Sequence, residues 1–322
     1  METKYKIYFT TWHYDTAERF TRILSRLTPN CSGKYKNIEA TLDKKEADYF
    51  VVFGGTKEDI DPKRAIYFGC HPKGPSGNYK SFLDVPCLVA LPLSHFLSPA
   101  EVWINYTYDE LKAMQPVQKK HNLACIMTYQ THRKTYSDRI RFMQHFMPQY
   151  PQCHLYGRLS KFFKEDPLLK DHYKGPLGYD NYDHYAGDHL SGKNILIDYR
   201  YSLEYDQGPT ENYLCERFHD ALLLWTMPIY YGSTNVEKYF PKNSFRYVDI
   251  SSEDSEQIDK EVKKVIKITD SDYREKNISA IAEARDLILD KYQTFAYVHD
   301  IVNNIDSYIT EWERIKQGRL SL

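Results

Sequence analysis

Residues 205–217, Tyr-Asp-Gln-Gly-Pro-Thr-Glu-Asn-Tyr-Leu-Cys-Glu-Arg, hold the densest chemistry in the chain. Gly208-Pro209 marks a turn, and beyond it Glu216 and Arg217 stand side by side in the first turns of a helical pattern. An arginine can grip a phosphate with two parallel N–H···O bonds, and an adjacent carboxylate can accept hydrogen bonds from sugar hydroxyls. A helix start adds unpaired N–H groups and the positive end of its dipole, both of which favour anions. These residues suit the holding of a nucleotide diphosphate and its sugar. Acid–base neighbours at a helix start are as readily solvated surface, so spacing alone leaves both readings open.

Such a site needs a strand to deliver the turn and a helix to follow it. The apolar pattern predicts a strand over 195–205 and a helix over 213–225. Ahead of them it predicts a strand over 123–127, a helix over 137–147 and a strand over 154–156, and after them strands over 229–231 and 245–248. In the first third, strands are expected over 5–9, 49–53 and 65–68, the last two closed by Gly54, Gly55 and Gly69. Asp15 reads as the N-cap of a helix that places Phe20, Ile23, Leu24 and Leu27 on one face. From residue 252 the pattern is helical almost to the end. Alternating strands and helices imply parallel sheets covered on both faces.

A polar stretch over 115–122 divides the chain into an N-terminal unit over 1–118 and a second unit over 119–300 that carries the residues suited to a nucleotide diphosphate, with a helical extension over 301–322. The expected fold is therefore α/β, two Rossmann-like domains facing a central cleft, with ligands beyond the carboxyl ends of the strands. The last helical segment is free to cross back to the first unit.

Four stretches, in order, resemble the alpha-1,3-fucosyltransferase family: His154-Leu155-Tyr156-Gly157-Arg158, Tyr173-Lys174-Gly175-Pro176-Leu177, residues 205–217, and Met227-Pro228-Ile229-Tyr230-Tyr231-Gly232 with Tyr239-Phe240-Pro241-Lys242-Asn243-Ser244-Phe245. That family consists of inverting enzymes of the GT-B fold with GDP-fucose as donor. The resemblance implies a metal-independent transfer of L-fucose to a hydroxyl of a glycan. Arg217 stands at the family's phosphate-binding lysine, keeping the charge and adding a fork of donors. Glu216 stands at the glutamate that contacts the donor, and Gln207 and Tyr213 at a donor-contacting asparagine and tyrosine. Arg139 resembles a second phosphate-binding arginine, with Arg133 and Arg141 as competitors for the position. The family's general base is a glutamate just after a strand. Here residues 65–72 end in His71-Pro72, and a histidine, with a pKa of ~6.5, can take an acceptor proton. His71 and Glu216 are thus the catalytic candidates, although a loop histidine with no role fits the same residues.

The chain departs from the family at Cys215, for threonine, and at Asp206 and Gln207, for glutamate and asparagine. Those changes keep two alternatives open: a different nucleotide sugar, and a non-catalytic carbohydrate-binding derivative. Asp59-Ile60-Asp61 has the spacing by which other glycosyltransferases hold Mn²⁺, yet it precedes Pro62, away from the donor signature. His172, Asp180, Asp183, His184, Asp188 and His189 crowd one loop at spacings that fit no metal template. No metal or other cofactor is expected.

Composition narrows the class further. A net charge of −1 gives no ground for a nucleic-acid partner, and no apolar run approaches the ~20 residues a spanning helix needs. The start of the chain lacks the apolar core of a secretory signal, and six scattered cysteines without a CxxC pair read as free thiols. A cytoplasmic protein is expected.

Overall fold

The computed structural model describes residues 4–12, 14, 16–69, 85–159, 167–177 and 192–320. Asp15, Cys70, His71, Asp180, Asp183, His184, Asp188 and His189 lie outside the described residues.

Two six-stranded sheets form the framework. The first contains β1 (Tyr5–Thr11), β2 (Lys34–Tyr35), β3 (Ile38–Ala40), β4 (Tyr49–Phe53), β5 (Ala65–Phe68) and β6 (Val89–Leu91), in the order β2-β3-β1-β4-β5-β6. Its pairings are parallel except between β2 and β3. The second contains β7 (His121–Ile126), β8 (Cys153–Tyr156), β9 (Tyr173–Gly175), β10 (Tyr199–Tyr205), β11 (Met227–Tyr231) and β12 (Arg246–Tyr247), in the order β12-β11-β10-β7-β8-β9 and parallel throughout. Continuous apolar runs such as Tyr49–Phe53 and Met227–Tyr231 suit strands covered on both faces. Strand growth reverses between β1 and β4 and again between β7 and β10, and crevices open at such switch points.

The helices are α1 (Ala17–Ser25), α2 (Tyr108–Ala113), α3 (Lys134–Phe146), α4 (Glu216–Leu223), α5 (Ser255–Thr269), α6 (Tyr273–Lys276), α7 (Ile278–Leu287), α8 (Thr294–Asn303) and α9 (Ile305–Leu320). Among the described residues no helix is long and apolar enough to cross a membrane. Thr16 caps α1 by accepting from Arg19 N.

Two expected elements differ near the centre. Residues 195–198 belong to a 3₁₀ turn (Gly192–Asp198) and not to the strand. Side chains take the turn's carbonyls in place of a ladder: Thr226 Oγ1 donates to Leu196 O, and Lys119 Nζ to Ile197 O at 2.9 Å. α4 starts at Glu216, three residues later than the periodicity predicts. Cys215 stays in extended backbone, φ −81° and ψ 168°, as the N-cap, and the turn ahead of it is fixed by Asn212, held at φ +59° by hydrogen bonds with Asn235 and Leu93.

The two cores also divide the chain differently from 1–118, 119–300 and 301–322. Phe295, Val298, Ile301, Trp312 and Ile315 pack with Ile7, Phe9 and Val51 of the first sheet, so α8 and α9 complete that sheet's cover and are no separate extension. In the other direction Leu97, Val102, Ile104 and Leu111 pack in the core of the second sheet. The chain thus crosses forward near residue 92 and back near Gln293. Phe295 anchors the return, fully buried with its ring 5.0 Å from that of Phe9. Phe295→Ala should cost ~3–5 kcal/mol, read by urea unfolding, with hydrogen exchange rising in β1 and β4 before it rises in β7 and β10.

Candidate functional site

β10 ends beside β7 at the switch point of the second sheet, and two arginines meet its last carbonyls. Arg217, the second residue of α4, donates from Nη1 to Tyr205 O at 2.9 Å. Arg139, from α3, donates from Nη2 to Asp206 O. The Arg139 guanidinium lies over the Tyr136 ring, 4.7 Å from its centroid, and is only 3% exposed. Burial, and then the neighbouring charge of Arg217, lower its pKa to about 10. The Nε atoms of both arginines make no hydrogen bond. Burying a cation such as Arg139 without full partnering is costly, and an anion at this strand end would recover that cost. The first N–H groups of α4 add to the attraction.

Beside the cations stands a carboxylate with its own lysine. Lys193, on the 3₁₀ turn, places Nζ 2.8 Å from Glu216 Oε1 and 3.0 Å from Asp220 Oδ2. Burial pushes the Glu216 carboxyl up, but Lys193 and Arg217 outweigh it and hold it at about 2. Glu216 is therefore ionised at neutral pH. Arg217 Nε lies 3.8 Å from the same carboxylate oxygen, close enough for charge and too far for a hydrogen bond. A cation held near but not by its carboxylate keeps donors for a ligand.

The residues between β10 and α4 complete the rim. Gln207 accepts from Arg133 Nη1 at 2.7 Å through Oε1, and its carbonyl accepts from Thr135 Oγ1 at 3.0 Å. Gly208, at φ +143°, turns the chain there. Asp206 accepts from the Tyr230 hydroxyl, which accepts in turn from Ser233 N at 2.7 Å. A Cβ at Gly232 would collide with both the Tyr230 hydroxyl and the Asp206 carboxylate, so only glycine fits. Tyr213 is buried at 5% exposure.

Arg139, Gln207, Glu216 and Arg217 are thus brought to one strand end. Of the competing arginines, Arg133 joins the rim through Gln207, whereas Arg141 turns away to Asp138 and to Ser252 O. Asp61 caps a short turn, accepting from Lys63 N and Arg64 Nε at 3.0 Å each. It precedes β5 and so lies at the amino end of a parallel sheet, on the side opposite the crevice. Among the described residues no group of three or more His, Cys, Asp or Glu side chains is arranged to hold a metal.

Sequence reasoning missed Lys193, Asp220 and Tyr230. Asp220 carried a signal, an acid one helical turn after Glu216 on a segment whose neighbours Phe218, Ala221 and Leu222 are apolar. Lys193 carried none, since it lies 23 positions before its partner.

Glu204, on β10 next to these groups, is 2% exposed, and burial pushes its carboxyl up to about 8. The folded chain keeps this proton up to that pH, whereas the unfolded chain releases it near the ordinary 4.5. The group therefore costs stability progressively as pH rises from about 5 to about 8. Asp206, raised to about 6 by burial, acts with the same sign over the lower part of that window. Glu204→Gln should leave the melting temperature near pH 5 almost unchanged and raise it toward pH 8, as measured by calorimetric scans across the range.

Comparison with known proteins adds identity to geometry. No protein-family model matches the chain. GDP-fucose protein O-fucosyltransferase 3 of Rattus norvegicus is 25% identical over 209 residues, 60% of this chain and 41% of that protein. Its Gallus gallus counterpart is 24% identical over 188 residues, 54% of this chain and 36% of that protein. The chain thus spans about two fifths of the length of these relatives. Among solved structures, an alpha-glucosyltransferase in complex with UDP and DNA superposes over 96% of this chain and 100% of its own, at 10% identity and a TM-score of 0.55. The two parallel sheets and the helical C-terminal segment have the GT-B architecture of glycosyltransferases, and the sequence relatives of this chain are fucosyltransferases.

Proposed function

We propose that the chain transfers L-fucose from GDP-fucose to a hydroxyl of a glycan acceptor, with inversion and without a divalent metal. The observation that carries this reading is the pair of guanidinium groups, Arg139 buried and Arg217 partly exposed, on successive carbonyls at the end of β10. A diphosphate matches their charge and their unused donors. The names of the sequence relatives support GDP-fucose as its bearer.

In this reading the acceptor oxygen bonds to the anomeric carbon as the bond from that carbon to the diphosphate breaks, and the electron pair leaves on GDP. Arg139 and Arg217 stabilise the charge that develops there, which is the work of preorganised donors in such a step. Glu216 accepts hydrogen bonds from fucose hydroxyls, with Gln207 and Tyr213 beside the donor. His71 takes the acceptor proton. The names of the relatives favour one variant, in which the acceptor is a hydroxyl of a protein rather than of a glycan.

Arg217→Ala removes a charge-assisted contact of a kind worth ~1.5–3 kcal/mol, so GDP binding by titration calorimetry should weaken about 10- to 100-fold. His71→Ala should leave GDP affinity unchanged while transfer falls by ~10²–10⁴. Normal GDP binding by Arg217→Ala places the donor elsewhere. Transfer should also persist in EDTA; a loss restored by Mn²⁺ contradicts the metal-free mechanism.

A further inference from the structure

Lys193 is a buried lysine that the reaction as proposed does not use. It is 4% exposed, and its ammonium bridges the first and fifth residues of α4, Glu216 at 2.8 Å and Asp220 at 3.0 Å. The other oxygen of Asp220 accepts from Trp103 N at 2.9 Å, and the Lys193 ammonium lies 5.5 Å from the centroid of the Trp103 ring. Its neighbour Asn194 accepts from Asn105 N at 2.9 Å. The turn that carries Lys193 is therefore fastened twice to the crossing segment 101–105, the strap by which the chain passes from one sheet to the other. Glu216 is fastened to the turn.

We infer that Lys193 is a positioning residue for the donor sugar, clamping the Glu216 carboxylate between the start of α4 and the strap 101–105. The inference rests on the fucosyl-transfer reading for its ligand and on the geometry alone for its clamp.

Charge explains why a lysine is needed there. The groups that act on Glu216 from the elements around it are Arg217, His219 and Asp220 on α4, Cys215 just before it, Asp206 after β10, Tyr213 in the turn, Glu101 on the strap and Lys193 itself. Three of these are carboxyls. Glu101 is pushed up to about 7 by burial and by the charge of Glu216, and Asp220 is raised by burial. His219 is lowered to about 4 by burial and stays neutral. Among the described side chains Lys193 and Arg217 oppose protonation of Glu216, with a backbone hydrogen bond to its carboxylate beside them, and Arg217 is the cation proposed to hold phosphate. Without Lys193, burial and the neighbouring acids act on Glu216 against one cation fewer, so its carboxyl rises and its capacity to accept two hydroxyl hydrogen bonds is lost at a higher pH.

The test compares two probes that differ by the sugar, GDP and GDP-fucose, by titration calorimetry on the full chain. Lys193→Met should weaken GDP-fucose about tenfold near pH 7, leave GDP within about twofold, and lose more sugar-dependent affinity as pH falls toward about 5. Lys193→Arg should restore most of it. Carboxyl ¹³C NMR, with the Glu216 resonance assigned through Glu216→Gln, supplies a measurement that needs no ligand: the Glu216 titration should move to higher pH in Lys193→Met. If that variant does not fold, Lys193→Gln, which keeps a donor without the charge, is read in the same way. Equal losses for GDP and GDP-fucose at every pH, or an unmoved Glu216 titration, overturn the inference. A wild-type chain that binds neither nucleotide overturns the transfer reading instead, and the carboxyl titration then decides the clamp by itself.

Discussion

Arg139 and Arg217 donate to successive carbonyls at the end of β10, and the surrounding architecture follows from the need to hold two like charges side by side, one buried and one partly exposed. Repulsion and desolvation both oppose such a pair. It persists because each guanidinium comes from a different rigid element, α3 and α4, and because the strand end supplies acceptors without supplying a full counter-charge. Placing a carboxylate in direct contact would have neutralised the site. Glu216 instead turns its hydrogen bond to Lys193 at 2.8 Å and stays 3.8 Å from Arg217 Nε, so the Arg217 donors are left for a ligand.

That arrangement also requires the two sheets to hold one another in place. Asn212, at the turn before α4, reaches Leu93 O with its amide at 2.7 Å, and its carbonyl accepts from Ser98 N at 2.9 Å. Its remaining polar atoms bond with Asn235 and Tyr239. The residue that ends one conformation and allows α4 to begin is thus also a tie between the crossing segment and the second sheet. Fixing the start of α4 fixes Glu216 and Arg217, so the approach of the two units and the aim of the charged pair are one structural event.

Much of this was legible in the residues. Strands over 49–53 and 65–68 coincide with β4 and β5 because short apolar runs between turn residues have few other ways to be satisfied. The positions of Glu216 and Arg217 at a helix start followed from the same punctuation. The 3₁₀ turn before β10 was not legible, because Ile195, Leu196 and Ile197 have strand composition and only Thr226 and Lys119, distant in sequence, decide where their carbonyls bond. The return of α8 and α9 to the first sheet was equally hidden, since an amphipathic helix declares that it has a partner without naming it. Lys193 was hidden for the same reason: a long-range ion pair leaves no period in the sequence.

The departure at Asp206 gains a physical account from these contacts. An aspartate in place of a glutamate is one methylene shorter, and at the end of β10 it meets the Tyr230 hydroxyl, which is itself pinned by Ser233 N. Gly232 leaves that meeting point free of a side chain. A longer acid would have to displace Tyr230, a fully buried ring packed on Phe218 at 4.8 Å. The shorter acid and the bulky tyrosine therefore form one packing solution, with the carboxylate supporting the turn from below. Since the Asp206 carbonyl is the acceptor for Arg139, this solution leaves the cation in place while changing the side chain beneath it, and a substitution that looked like a change in donor chemistry is as well accounted for as a change in the support of the turn.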